Sequence, residues 1–204
     1  MPHGLEDLLH APATDIMDAV LRGFRAQVDV KGKLAELYLS HRLDDLQRRG
    51  HVDRYEWFDK DGVPDFHVYV GELRLVLECK NIRTPRLDRH GDKTRPVVEL
   101  QKTRNGLDAA GKKTRGYPVD HFDILGVCLF NHTSDWEFAF IATRHLERRA
   151  TDSSILTVFQ DVPLGQEDVG QLGKPWSFTL ETVVAQEVAH RTKPRRGRRA
   201  SRKR

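Results

Sequence analysis

No apolar run in this 204-residue sequence approaches the roughly 18 residues needed to cross a bilayer, which argues against an integral membrane protein. Cysteine is scarce. The two present, Cys79 and Cys128, both sit inside apolar runs, so neither a disulfide framework nor a metal knuckle is expected, and a reducing cytoplasm suits them. Cys79 alternates with leucines, which reads as a small core residue. A nucleophilic role would need a partner histidine, and the sequence places none nearby. The first residues, MPHGLEDLLHAPATD, carry acids and lack a basic-then-apolar pattern, so secretion is not expected. Internal repeats are absent. Mean hydropathy is −0.59, with 38% hydrophobic and 31% charged residues, enough apolar material for one globular core.

The net charge of +4 conceals a division. The 14 residues from Arg191 to Arg204 carry +9 and the preceding 190 carry −5. Within that body, Lys80 to Arg115 has a local excess of +7. Basic character is thus confined to two stretches, as in a protein with one face turned to a polyanion. The composition of the terminal stretch predicts a disordered basic tail over 191–204. Residues 1–13 read as a loose lead-in and 14–190 as one domain.

Along the domain, Thr14 or Asp15 can cap a helix with Ile16, Met17, Val20, Leu21 and Phe24 on one face. Val30-Lys31-Gly32 reads as a break. A second helix with Leu34, Leu37, Tyr38, Leu43 and Leu46 stops at Arg48-Arg49-Gly50. The period then changes to two. Strands are expected at Tyr55–Phe58, Phe66–Val70 and Leu73–Lys80, with a tight turn at Gly71-Glu72. A polar loop over 81–96 leads to a helix over 97–110. Phe122–Phe130 is apolar apart from Asp123, as in a strand buried on both faces, and Trp136–Ile141 returns as its hairpin partner. A short helix over 143–149, an edge strand over 155–159, and a strand and helix over 177–190 complete the chain. The order predicts an α/β fold, a mixed central β-sheet flanked by helices.

The chemistry-bearing residues gather at one hairpin. The short turn between Val70 and Leu73 makes the flanking strands antiparallel, so residues whose numbers sum to about 143 face each other, and Asp65 faces Glu78. Directly opposed Cβ atoms lie about 4.5–5.5 Å apart, and like charges so placed repel unless a cation intervenes. Lys80, two residues beyond Glu78, leaves the same face. Such a trio suits phosphodiester hydrolysis. Asp65 and Glu78 supply hard oxygen ligands for Mg²⁺, with the Cys79 carbonyl as a third, and the Lys80 ammonium offsets charge building on phosphorus.

Pro64-Asp65 followed after a short gap by Glu78-Cys79-Lys80 resembles the PD-(D/E)XK nuclease superfamily, which includes restriction endonucleases and Holliday-junction resolvases. Lys31-Gly32-Lys33-Leu34-Ala35-Glu36 looks like that family's first core helix, whose glutamate, here Glu36, assists the metal. Glu99-Leu100-Gln101-Lys102-Thr103-Arg104 resembles the helix after the ExK strand, where a Gln or Lys, here Gln101, points at the site. The resemblance spans residues 30–142. It implies a restriction-endonuclease-like core and a DNA endonuclease using Mg²⁺, with Mn²⁺ as a substitute. Asp65, Glu78 and Lys80 would be the catalytic set, aided by Glu36 and Gln101, and in-line attack by water would leave a 5′-phosphate. Position 105 is Asn where the exonuclease-like branch carries Tyr, which argues against that branch.

DNA is the expected partner, held by Arg83, Arg86, Lys102 and Arg104 and by Arg195 and Arg196 of the tail. Many such nucleases dimerise to cut both strands, so a homodimer is one expectation, although no segment identifies an interface. No small-molecule cofactor and no membrane partner is expected. Two other readings stay open. One is a structure-specific repair, recombination or defence nuclease, for which the net negative body and the lack of a recognisable recognition domain leave room. The other is a non-catalytic nucleic-acid-binding subunit with a relic nuclease fold, disfavoured by the intact trio.

Overall fold

The computed structural model describes residues 4–60, 62–86, 94–107 and 113–193, with backbone only at 102–107 and 113–115. Three helices open the chain: α1 (Gly4–Leu9), α2 (Ala13–Arg22) and α3 (Phe24–Arg48). The expected lead-in therefore contains a helix. The helix after it starts behind Pro12 without a cap from Thr14 or Asp15, because the Glu6 carboxylate accepts from the Ala13 N–H at 2.7 Å. The break expected at residues 30–32 is absent, and α3 runs through Gly32. It falls instead at Gly23, where a Cβ would meet the Ala19 carbonyl and the Ala26 Cβ at 3.2 Å. Burial of Ala35, Leu39, Leu43 and Leu46 along one α3 stripe outweighs the roughly 0.5–1 kcal/mol cost of a helical glycine. No residue of α1 or α2 is buried, and Leu8, Met17, Leu21 and Phe24 are exposed. The α3 stop at Arg48 agrees with the sequence, and Gly50 takes a left-handed φ of +74°.

Five strands make the central sheet: β1 (Arg54–Trp57), β2 (Phe66–Val70), β3 (Leu73–Asn81), β7 (Ile124–Cys128) and β8 (Phe138–Ala142), in the order β1-β2-β3-β7-β8. β3 and β7 run parallel and the other neighbours antiparallel, so the sheet is mixed. The β2–β3 register pairs Phe66 with Leu77 and Val70 with Leu73, as the short turn requires. β7 is buried along its whole length, and a single helical turn, α4 (Phe130–Thr133), leads from it toward β8. At Gly126 a Cβ would lie 3.1 Å from the Phe140 ring and 3.4 Å from Leu39, so glycine lets neighbouring strand and helix close in.

One sheet face packs on α3 and on α6 (Leu180–Thr192), burying Leu39, Leu43, Val183 and Val184 against Phe66, Leu75, Leu77 and Phe140. Over the other face lie short strand pairs and α5 (Gln166–Leu172), around a second core containing Val98, Leu100, Tyr117, Phe122, Leu125 and Leu156. The pairs are β4 (Val97–Glu99) with β11 (Phe159–Asp161), β5 (Gln101–Leu107) with β6 (Lys113–Gly116), and β9 (Arg148–Arg149) with β10 (Asp152–Leu156). This is a mixed α/β fold whose central sheet is flanked by helices. Among the described residues no helix is long and apolar enough to cross a membrane.

Several elements depart from expectation. Where a helix is expected over 97–110, the described residues form strands, β4 and β5. Val97 and Val98 are β-branched, Val98 is buried beside Ile82, and β11 supplies a hydrogen-bonding edge. The helix expected over 143–149 shrinks to a 3-10 turn at Thr143–His145 before β9. The edge strand expected over 155–159 divides between β10 and β11. The final strand reduces to a bridge between Ser177 and Phe140, and α5 was not expected. The first residues of the expected tail are helical. Arg191 donates to the Asp123 carboxylate and, at 3.4 Å, to the Arg74 carbonyl, so it belongs to the folded body. Residues 194–204, with Arg195 and Arg196, lie outside the described residues.

Candidate active site

The β2–β3 hairpin places Asp65 just before the first residue of β2 and Glu78 and Lys80 near the far end of β3. Asp65 is locked by its own backbone and side chain. Its carbonyl accepts from Phe58 N–H at 2.8 Å, and Oδ2 accepts from Cys79 N–H at 2.7 Å. The carboxylate therefore lies against the strand that carries Glu78. Glu78 points to the side opposite Leu77 and Cys79 and is only 3% exposed. Lys80 Nζ donates to Glu78 Oε1 at 2.5 Å and to the Cys79 carbonyl at 3.2 Å. A buried carboxylate without partners costs several kcal/mol, so this ammonium is what makes Glu78 tolerable there. The Lys80 side chain keeps 27% of its surface exposed, leaving one flank open to solvent.

A fourth residue completes the site. The Tyr117 hydroxyl, just past β6, donates to the same Glu78 oxygen at 2.8 Å, and the Lys80 ammonium stands 5.8 Å from the Tyr117 ring centre. Sequence reading missed Tyr117. The only signal was a tyrosine preceding Pro118 at the end of a basic stretch. Both donors to Glu78 fall on Oε1, and among the described residues none falls on Oε2.

The charges perturb one another in a consistent pattern. Burial, and then repulsion from Glu78, push the Asp65 carboxyl up to about 7, although Lys80 and the Cys79 N–H oppose the rise. For Lys80, burial acts to lower the pKa, but the charges of Glu78, Tyr117 and Asp65 win and hold it above the usual lysine range. Burial pushes the Tyr117 hydroxyl up as well, so it remains a donor. Burial also raises the Cys79 thiol far above its usual value, consistent with a core residue.

Glu36 makes no hydrogen bond or ion pair with Asp65, Glu78 or Lys80. It accepts from Trp57 Nε1 at 3.0 Å and from Lys33 Nζ at 2.9 Å, and its charge adds to the upward pressure on Asp65. Trp57 stacks on Phe66 and remains 41% exposed. Gln101 stands on β5 opposite Gly116, one residue from Tyr117. It is not on a helix, and among the described residues it makes no hydrogen bond to Asp65, Glu78 or Lys80. Arg83 and Arg86 follow Lys80 where the chain leaves β3. The side chains of Lys102 and Arg104 lie outside the described residues.

Among the described residues no three His, Cys, Asp or Glu side chains are gathered as a metal site. The site offers two carboxylates. Their chemistry nevertheless fits a hard divalent cation: Asp65 resists ionising because it is buried and because Glu78 is beside it, and a cation between them would relieve the repulsion. The Cys79 carbonyl, expected as a third ligand, accepts from Lys80 and keeps a second lone pair.

No family model matches the chain, and no curated protein matches it. Among solved structures a bacterial homing endonuclease aligns with a TM-score of 0.37 and 14% identity, over 56% of this chain and 68% of that one. That score lies below the level at which two folds correspond.

Proposed function

We propose that this chain is a metal-dependent endodeoxyribonuclease of PD-(D/E)XK type, hydrolysing DNA phosphodiester bonds at Asp65, Glu78 and Lys80. The observation that carries this reading is the convergence of two carboxylates and a lysine at one end of the hairpin, with Asp65 tied to the Cys79 N–H and Lys80 tied to Glu78. Buried like charges are costly to keep, and a catalytic role is a reason to keep them.

Asp65 and the open oxygen of Glu78 would hold Mg²⁺, or Mn²⁺ in its place. Bound there, the cation would neutralise phosphate charge and supply hydroxide near neutral pH. The chain's own residues then have separable tasks. Lys80, held protonated, places a positive charge where negative charge builds on the phosphorus oxygens. Tyr117 and Lys80 together hold Glu78 in one rotamer, so its second oxygen keeps a fixed direction. Trp57 and Lys33 hold Glu36, whose charge strengthens the negative field at Asp65.

Supercoiled-plasmid cleavage tests the reading. Nicking or linearisation with Mg²⁺, lost with a chelator and lost in Lys80→Ala, is the expected result. Cleavage by Lys80→Ala at the wild-type rate would overturn the assignment of the site.

A further inference from the structure

Three residues beyond Lys80 the chain leaves the sheet and turns into a groove of about 600 Å³, lined by Arg83, Thr84, Arg86, Thr94, Arg95 and Phe159 among others. That volume falls in the range of about 300–1,000 Å³ typical of small-ligand sites. Phe159 is 44% exposed at the start of β11, and the Arg83 guanidinium stands 5.1 Å from its ring centre. An aromatic ring left open to solvent among arginines is poor packing but a good platform for a flat, anionic ligand.

The platform is rigid. Arg83 N–H donates to the Val97 carbonyl at 2.9 Å. On the other side, His132 Nε2 meets the Arg83 carbonyl at 2.9 Å, and Asn131 Nδ2 donates to the Ile82 carbonyl at 2.7 Å. Phe159 is held by β11, which pairs it with Glu99 of β4. Charge is available too. Arg95 pairs with Asp161 at 2.8 Å and Arg83 only loosely with Glu99 at 3.7 Å, whereas Arg86 has no ion pair among the described residues.

We propose that this groove binds one unpaired nucleotide of a DNA strand, its base on Phe159 and its phosphate on Arg86, next to the bond that the hairpin site would cleave. The proposal rests on the nuclease reading above and names its substrate class: DNA with unpaired nucleotides, as in single strands, flaps or branches. Three extended residue steps lead from Lys80 to Arg83, about 10 Å, which is the reach of one to two nucleotides. A base inside a duplex is stacked on both faces and cannot lie on Phe159. An unpaired base can, and an aromatic platform accepts any base because every base has a π face.

Fluorescence anisotropy without divalent metal tests the groove apart from cleavage, using labelled oligo(dT) and a blunt duplex of equal length as probes. Phe159→Ala should weaken oligo(dT) binding about tenfold and leave duplex binding within about twofold. Phe159→Trp should restore the strand affinity, which a merely structural loss would not allow. Equal weakening of both probes, unchanged strand binding in Phe159→Ala, or a wild-type protein that binds neither probe would overturn the proposal. The Lys80→Ala plasmid result judges the nuclease reading separately, since strand binding needs neither metal nor cutting.

Discussion

The Tyr117 hydroxyl donates to Glu78 Oε1 at 2.8 Å, joining residues that lie 39 positions apart in the chain. Together with Lys80 it places two donors on one oxygen of a buried carboxylate and leaves the other free. The site is thus held from the second core as well as from the hairpin that carries it.

Removing that hydroxyl should be felt twice. A hydrogen bond to a charged group is worth about 1.5–3 kcal/mol, so Tyr117→Phe should lower the urea midpoint by a corresponding amount. Glu78 also loses a donor that fixes its rotamer, so kcat for cleavage should fall while metal-free strand binding stays unchanged. A purely structural tyrosine would lower stability and leave kcat of the folded protein in place.

Asp65 should make the metal-free protein less stable as pH rises. Its folded pKa, about 7, lies above the ordinary 3.8. Between those values the folded state binds more protons than the unfolded state, and stability falls across the interval. The loss is roughly 1–4 kcal/mol, the upper end applying only if Asp65 titrated alone. Asp65→Asn should flatten this dependence and be the more stable protein above about pH 7, while losing cleavage. Urea titrations on both sides of the interval check it, and parallel pH curves for the two proteins would refute it.

Gly116 and Gly170 should respond oppositely to alanine. At Gly116 a Cβ would lie 2.6 Å from Ile155 Cγ2 and 2.8 Å from the Arg149 guanidinium, so Gly116→Ala should cost about 1–3 kcal/mol and disturb the adjacent Tyr117. At Gly170, inside α5, a Cβ would meet nothing within 4 Å, and alanine should stabilise by about 0.5–1 kcal/mol. Thermal or urea unfolding of the two variants decides.

Truncation after Lys193 removes seven arginines and lysines. DNA affinity should fall at low salt and depend less steeply on salt, while site-directed cleavage at saturating protein should persist. An unchanged salt slope would show that the tail does not meet phosphate.

The hairpin that carries the candidate site was legible because its determinants are local. A short turn sets the register, alternation sets the faces, and Asp65, Glu78 and Lys80 follow from counting residues. The buried β7 and its partner β8 were legible for a similar reason, an apolar run followed by a turn. Residues 97–107 were misread because periodicity alone cannot separate a short helix from a short strand. There β11 supplies a hydrogen-bonding edge from some sixty residues away, and Val98 packs into a core built by remote segments. Gln101 went with that error. Its place beside Gly116 depends on β6.

The amino-acid sequence by itself determined the mixed α/β plan, the antiparallel hairpin and the pairing of two carboxylates with a lysine, since these follow from the order of periodic segments and from one short turn. Only the tertiary structure decided that Tyr117 shares Glu78 with Lys80, that Glu36 acts on Asp65 through its field, and that Phe159 and the arginines beyond Lys80 enclose a groove. Those relationships join segments that meet only once the two cores have formed, and burial then gives their charges a strength that no residue spacing reveals.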